Sequence, residues 1–197
     1  MRKLEVRGKD FYLNGRPFFI RGIGYHNIQP VHGNDKIGDR EYRRAEVRKM
    51  RDAGFNFLRT HTRCETPEFF EVCDELGMMV QPEMPYYTDI PCEKFEFNPV
   101  RDAKELFVHM RRNPSFAVYS HGNEGSFGPA LGRHMYKLIK GMDPDRLVRD
   151  QDNANGKEAA YPYGSKEEAD FTGGPTKEWA RGSCQVEMGT DGGLKGN

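Results

Sequence analysis

The chain has 197 residues and sets thirty Lys plus Arg against thirty Asp plus Glu; with no net field to draw it to nucleic acid or an anionic membrane, a neutral or locally acidic small molecule is the expected partner. That length holds one domain with a real core but is short of the ~250 residues typical of a complete eight-fold barrel. No apolar run approaches the ~20 residues that cross a bilayer, and Met1 to Gly15 lack the continuous apolar centre of a signal peptide, so no helical span is expected and the compartment stays open.

One module recurs along the chain: a short apolar run, a polar turn, an amphipathic stretch, then Gly or Asp before the next run. Residues 17–25 (PFFIRGIGY) read as the first core strand, preceded by Phe11 to Gly15, whose Asn14-Gly15 pair marks a tight turn between short strands. Residues 39–53 read as a helix with Asp39 as N-cap, Val47 and Met50 on one face and Gly54 as its stop. Residues 55–60 follow as the second strand. Thr66 and Pro67, a cap and a proline at the first helical position, open a helix over 67–76 that Gly77 closes, and 78–80 is the third strand. Val100, Ala103, Leu106, Phe107 and Met110 fall at helical spacing over 99–112, Asn113-Pro114 stops that helix, and 116–119 is the fourth strand. Residues 129–141 are helical again, and 146–149 form a fifth strand after the Asp143-Pro144 turn. Thereafter the pattern thins: 169–172 and 184–186 are candidate sixth and seventh strands with short connections, and no eighth strand is visible.

Strands alternating with helices favour a parallel sheet. Neither G-x-G-x-x-G nor a Walker-type phosphate loop appears, which argues against an open nucleotide-binding sheet and for a closed one. The expected fold is therefore α/β, a (β/α)8 TIM barrel abbreviated in its second half, as a single domain over residues 1–197. Cys64, Cys73, Cys92 and Cys184 contain no C-x-x-C pair and read as scattered free thiols.

Chemistry in such a barrel sits at the C-terminal ends of the strands. In chain order those ends hold Tyr25 and His26, Arg59 with His61, Glu83, Asn123 with Glu124, residues 150–153, and Glu187. Carboxylates amid many hydrogen-bonding groups suit sugar recognition. Taken singly, Arg59 reads either as the partner of a barrel carboxylate or as a group that positions substrate or nucleophile. His26 and His61 read as wall residues rather than catalysts, and Glu83 as a structural carboxylate.

Four blocks then carry a resemblance. Phe11 to Gly22 (FYLNGRPFFIRG) resembles the opening of the barrel domain of family 2 glycoside hydrolases, the group that includes β-galactosidases and β-glucuronidases. Ala53 to Thr60 (AGFNFLRT) is similar to that family's second-strand segment, Phe69 to Met78 (FFEVCDELGM) to its next helix and third strand, and Asn113 to Glu124 (NPSFAVYSHGNE) to its fourth strand. The resemblance implies a retaining glycosidase acting on a β-glycoside by double displacement. Glu124 is then the general acid/base and Asn123 the partner of the sugar 2-hydroxyl. Residues 185–189 (QVEMG) resemble the seventh-strand end and make Glu187 the nucleophile, with Gln185 where the family usually has histidine. Arg59 would orient that nucleophile, and Tyr25, His26, His61 and Trp179 are candidates for the sugar-binding wall, Trp179 being equally a core candidate.

Some β-galactosidases of that family bind a metal through a Glu-x-His motif after the third strand; here residues 83–87 (EMPYY) stand in its place, so no required metal and no cofactor is expected. The β-sandwich domains that usually precede the barrel are expected to be absent. Two other readings stay open: a non-catalytic truncated barrel that binds carbohydrate or serves as a scaffold, and a retaining glycosidase or mannanase of a related barrel family. The sugar, the linkage and the oligomeric state are not legible.

Overall fold

A computed structural model describes residues 2–8, 10–25, 36, 38–85, 99–122 and 129–149. It opens with an antiparallel sheet of β1 (Leu4–Arg7), β2 (Asp10–Leu13) and β3 (Arg16–Phe18), in that order. Asn14 and Gly15 make the β2–β3 turn with φ of 51° and 79°, the left-handed pair that a two-residue hairpin requires and that Asn-Gly supplies at least cost. β1 was not foreseen. Its alternation is nearly masked by Lys3, Glu5 and Arg7, and its pairing with β2 from Leu4↔Leu13 to Arg7↔Asp10 is a tertiary choice.

The expected single strand over 17–25 is two strands, and this corrects the sequence reading. β3 belongs to the hairpin, while β4 (Gly22–Tyr25) begins the parallel barrel sheet. The bend between them is held from outside. The Arg21 N–H donates to Asn56 Oδ1 at 2.8 Å, Asn56 Nδ2 donates to the Phe19 carbonyl at 2.9 Å, and Arg21 Nε donates to the Gly54 carbonyl at 2.6 Å. With its side-chain amide satisfied in this way, Asn56 satisfies backbone groups that the break in the strand would leave orphaned.

β4 pairs in parallel with β5 (Phe57–Thr60), and β5 with β6 (Met79–Pro82). β7 (Val118–Ser120) pairs in parallel with β8 (Leu147–Arg149). Parallel bridges Val80↔Phe116 and Glu83↔Ser120 join the two groups, so β4 to β8 form one arc in chain order. Asp74 sets the entry to β7: its carboxylate accepts from Asn113 Nδ2 at 2.8 Å and from the Ser115 N–H at 2.6 Å.

The helices are α1 (Arg40–Asp52), α2 (Pro67–Leu76), α3 (Pro99–Met110) and α4 (Pro129–Met142). Asp39 caps α1 as expected, accepting from the Tyr42 N–H at 3.0 Å. Thr66 holds the N-cap position of α2 but makes no side-chain capping bond, so that helix starts on Pro67 alone. Gly77 ends α2 in the left-handed conformation, φ 76°. The candidate strands at 169–172 and 184–186 lie outside the described residues.

Period-two alternation divides the core. Leu58, Val80, Tyr119 and Val148 pack outward against Val47, Phe69, Phe107, Met135 and Ile139 of the helices. Phe57, Met79, Val118 and Leu147 point to the other face, where Leu4, Phe11 and Ile20 close over them. The hairpin is therefore a plug under the barrel interior, at the N-terminal ends of its strands.

Candidate active site

Two residues further along each strand, the inward positions change chemistry. Above Phe57 stands Arg59, above Met79 stand Gln81 and then Glu83, above Val118 stands Ser120, and above Leu147 stands Arg149. All five are buried, and each lies at or just past the C-terminal end of its strand. Arg59 Nε donates to Glu83 Oε1 in a buried ion pair, so a barrel carboxylate is one partner of Arg59. Removing two charges from water costs about as much as their attraction returns, so such a pair is poor evidence for stability and better evidence for orientation.

Glu83 does a second job. Its Oε2 accepts from the Thr62 N–H at 2.8 Å, and Thr62 has φ of 49°, a conformation that costs a β-branched residue about 1–3 kcal/mol unless its surroundings impose it. The carboxylate that holds Arg59 thus also holds the turn after β5. The Thr60 hydroxyl closes that turn by donating to the Arg63 carbonyl at 2.6 Å. His61 is buried on the turn, its N–H donating to the Tyr25 carbonyl at 3.2 Å and its Nδ1 lying 3.3 Å from Thr62 Oγ1. Cys64 donates to the Glu83 carbonyl at 3.2 Å. Burial, with Glu65 and Glu83 nearby, pushes its thiol well above the usual range, which favours the protonated form. Cys64 and Cys73 are both free.

At the end of β7 the chain passes through His121 and Gly122. The His121 ring packs edge-on against Tyr119 at 5.4 Å, on the helix side of the sheet. Gly122 has φ of 152°, a value side chains rarely adopt, immediately before the Asn123-Glu124 dipeptide.

Tyr25 requires a correction. Expected in the sugar-binding wall, it faces the helices: its ring stacks on Phe69 at 5.3 Å and 18°. Its hydroxyl donates to Glu46 Oε2 at 2.6 Å and accepts from Arg43 Nη1 at 2.7 Å. Burial raises its pKa, and the Glu46 hydrogen bond adds to the rise. The reason is parity, since Gly24 holds the inward position of β4 and Tyr25 the outward one. Arg43, wholly buried, also donates to Glu65 at 3.2 Å. Glu65, raised by burial against the pull of Arg43 and Arg63, ties the turn after β5 to α1.

Of the residues singled out from sequence, Arg59, His61 and Glu83 are brought together at one end of the sheet. Asn123, Glu124, Glu187, His26 and Trp179 lie outside the described residues. Gln81, Ser120 and Arg149 were missed, although counting by twos from Met79, Val118 and Leu147 finds each of them. Among the described residues no three His, Cys, Asp or Glu side chains gather as a cation site.

A parallel arc of strands in chain order, helices outside, an apolar plug below and a buried polar layer at the C-terminal strand ends define a TIM-barrel domain. Residues 4–167 match the family described as Glycosyl hydrolases family 2, TIM barrel domain, and the chain belongs to that family. It is 29% identical over 156 residues to a β-galactosidase of Photobacterium profundum and 30% identical over 157 residues to one of Vibrio cholerae, in each case over 75% of this chain and 15% of the relative. The chain thus spans about 15% of the length of these curated relatives. Among solved structures, Bacteroides uniformis β-glucuronidase 2, covalently bound to cyclophellitol-6-carboxylate aziridine, has a TM-score of 0.73 at 23% identity, covering 87% of this chain and 22% of that one. Parabacteroides merdae β-glucuronidase has a TM-score of 0.61 at 21% identity over 76% of this chain and 20% of its own. These two likenesses speak for the fold.

Proposed function

We propose that this chain is the catalytic barrel portion of a retaining β-glycosidase, with Glu124 as general acid/base and Glu187 as nucleophile. The observation that carries the reading is the buried Arg59–Glu83 pair within a polar layer at the C-terminal strand ends, in a chain of a glycosyl hydrolase family. Glu124 follows β7 by four residues in the chain, on the C-terminal side of that strand.

Cleavage of a glycosidic bond passes through an oxocarbenium-like transition state and needs two carboxyl groups. Glu124 protonates the departing oxygen while Glu187 attacks the anomeric carbon, forming a glycosyl-enzyme. Glu124, now a carboxylate, takes a proton from water, which displaces Glu187 with overall retention. Asn123 binds the 2-hydroxyl, a contact that strengthens as positive charge develops on the ring. Arg59, already fixed by Glu83, places a cation beside the nucleophile and favours its ionised form. His26, His61 and Trp179 contact the sugar. The sugar itself is a β-galactoside or a β-glucuronide, the two classes named by the relatives.

Activated aryl β-galactosides and β-glucuronides test this. In Glu124→Ala the first step survives for a good leaving group, deglycosylation stalls, and azide restores turnover with a retained product. In Glu187→Ala azide rescues only by attack on the opposite face, giving an inverted product. A folded chain inactive on both substrates, or a Glu124→Ala variant with unchanged rates, overturns the proposal.

A further inference from the structure

At the opposite end of the strands from the polar layer, a cleft of about 610 Å³ is lined by Arg2, Arg111, Arg112 and Arg146, with Asp143 as its acidic member. Four cations against one anion leave a formal charge of +3 there, in a chain whose total is zero. Among the described residues the acids near this end are engaged: Asp143 pairs with Arg146 at 3.2 Å, Asp145 pairs with Lys3 at 3.1 Å, and Asp74 accepts from Asn113 Nδ2 and the Ser115 N–H. Arg146 is further held over the Phe116 ring, 4.3 Å from its centroid. The Arg2, Arg111 and Arg112 guanidiniums have no side-chain partner among the described residues, and Arg2 Nη1 is buried without a hydrogen bond.

A structural explanation for these arginines is that helices α2, α3 and α4 end on this side, at Leu76, Met110 and Met142, and that helix C-termini attract cations. Each terminus carries about half a negative charge. Three of them offset roughly half of the +3, which leaves the cleft positive. A buried guanidinium nitrogen without an acceptor also costs free energy that an oxyanion would return.

We infer that this cleft is a binding site for a phosphate or sulfate oxyanion, free or carried on a sugar as its ester. The planar guanidinium forks of Arg2, Arg111 and Arg112 match tetrahedral oxyanions in two-point hydrogen bonds, which lysines do not. The site lies at the N-terminal ends of the strands, so its occupancy does not depend on the glycosidase reading.

Titration calorimetry on the full chain tests the inference, with sodium phosphate and sodium sulfate at an ionic strength held constant with NaCl. One saturable site is expected. In Arg111→Ser/Arg112→Ser, both exposed positions, affinity should fall at least tenfold while far-UV dichroism stays unchanged; the lost cations at the C-terminus of α3 lower the unfolding midpoint only slightly. Arg111→Lys/Arg112→Lys keeps the charge and should lie between. Glucose 6-phosphate and glucose 6-sulfate separate the sources. At least tenfold tighter binding than the inorganic anion assigns an esterified sugar, and equal binding assigns the free anion. Heats indistinguishable from those of NaCl, or unchanged affinity in the double serine variant, overturn the site.

Discussion

Phe57, Met79, Val118 and Leu147 occupy one inward layer of the barrel, and Arg59, Gln81, Ser120 and Arg149 occupy the next, two residues further along the same four strands. Both layers are buried. The lower one meets Leu4 and Phe11 of the antiparallel sheet and Ile20 of the bend that follows it, and needs nothing but volume. In the upper one the Arg59 guanidinium has left water together with the Glu83 carboxylate just past β6, and their pairing returns about what their desolvation costs. Hydrophobic residues of similar size would be as stable or more so. The comparison teaches that stability is concentrated at the N-terminal ends of the strands, while the C-terminal ends keep charges whose use is to position other groups.

Breaking the upper layer one partner at a time should have the largest effect. Arg59→Leu and Glu83→Leu each strand a buried charge and should lose about 3–5 kcal/mol in urea unfolding. The double variant should recover the part of that stability lost to an unpaired charge, but not the Thr62 N–H bond to Glu83 and not hydrolysis of an aryl β-glycoside. Additive losses in the double variant would show that the two groups do not act as a pair.

In the lower layer Met79→Ala should cost about 2–5 kcal/mol through the cavity it leaves. Turnover per folded molecule should be unchanged, and a lowered kcat would mean that the two layers are not separable. Asn56→Ala removes two side-chain hydrogen bonds from the bend between hairpin and barrel and should cost about 1–3 kcal/mol. Hydrogen exchange sharpens this case: amides of β1 to β3 should lose protection before those of β5 and β6.

The smallest effect is at the start of α1, away from both layers. The Tyr42 N–H holds the Asp39 carboxyl below its ordinary value. A depressed folded-state pKa contributes stability above the unfolded-state value, and that contribution is lost as pH falls through the folded-state value. Asp39→Ala should therefore be less stable than the parent at neutral pH, with the difference closing in acid. Melting curves across that range check it, and a gap that widens in acid would refute the capping role.

The order of elements was legible in the residues themselves. Asn14-Gly15, Asp39, Pro67, Gly77 and Asn113-Pro114 act on the backbone nearest them, so the hairpin turn, four helix boundaries and the βα alternation follow from local preferences. The four resembling blocks also pointed to the family that residues 4–167 match. What the chain order did not contain was the side of the sheet on which each strand-end residue falls. A shift of one residue in where a strand begins reverses every side chain on it; the break at Phe19 to Arg21 moved the start of β4 to Gly22, turning Gly24 inward and Tyr25 toward Glu46 and Arg43. Nor did it contain the partners. Arg59 finds Glu83 across 24 residues, Arg43 finds Glu65 across 22, and Asn56 finds Phe19 across 37. Those meetings depend on which strands and helices become neighbours, and only the packed tertiary structure decides that.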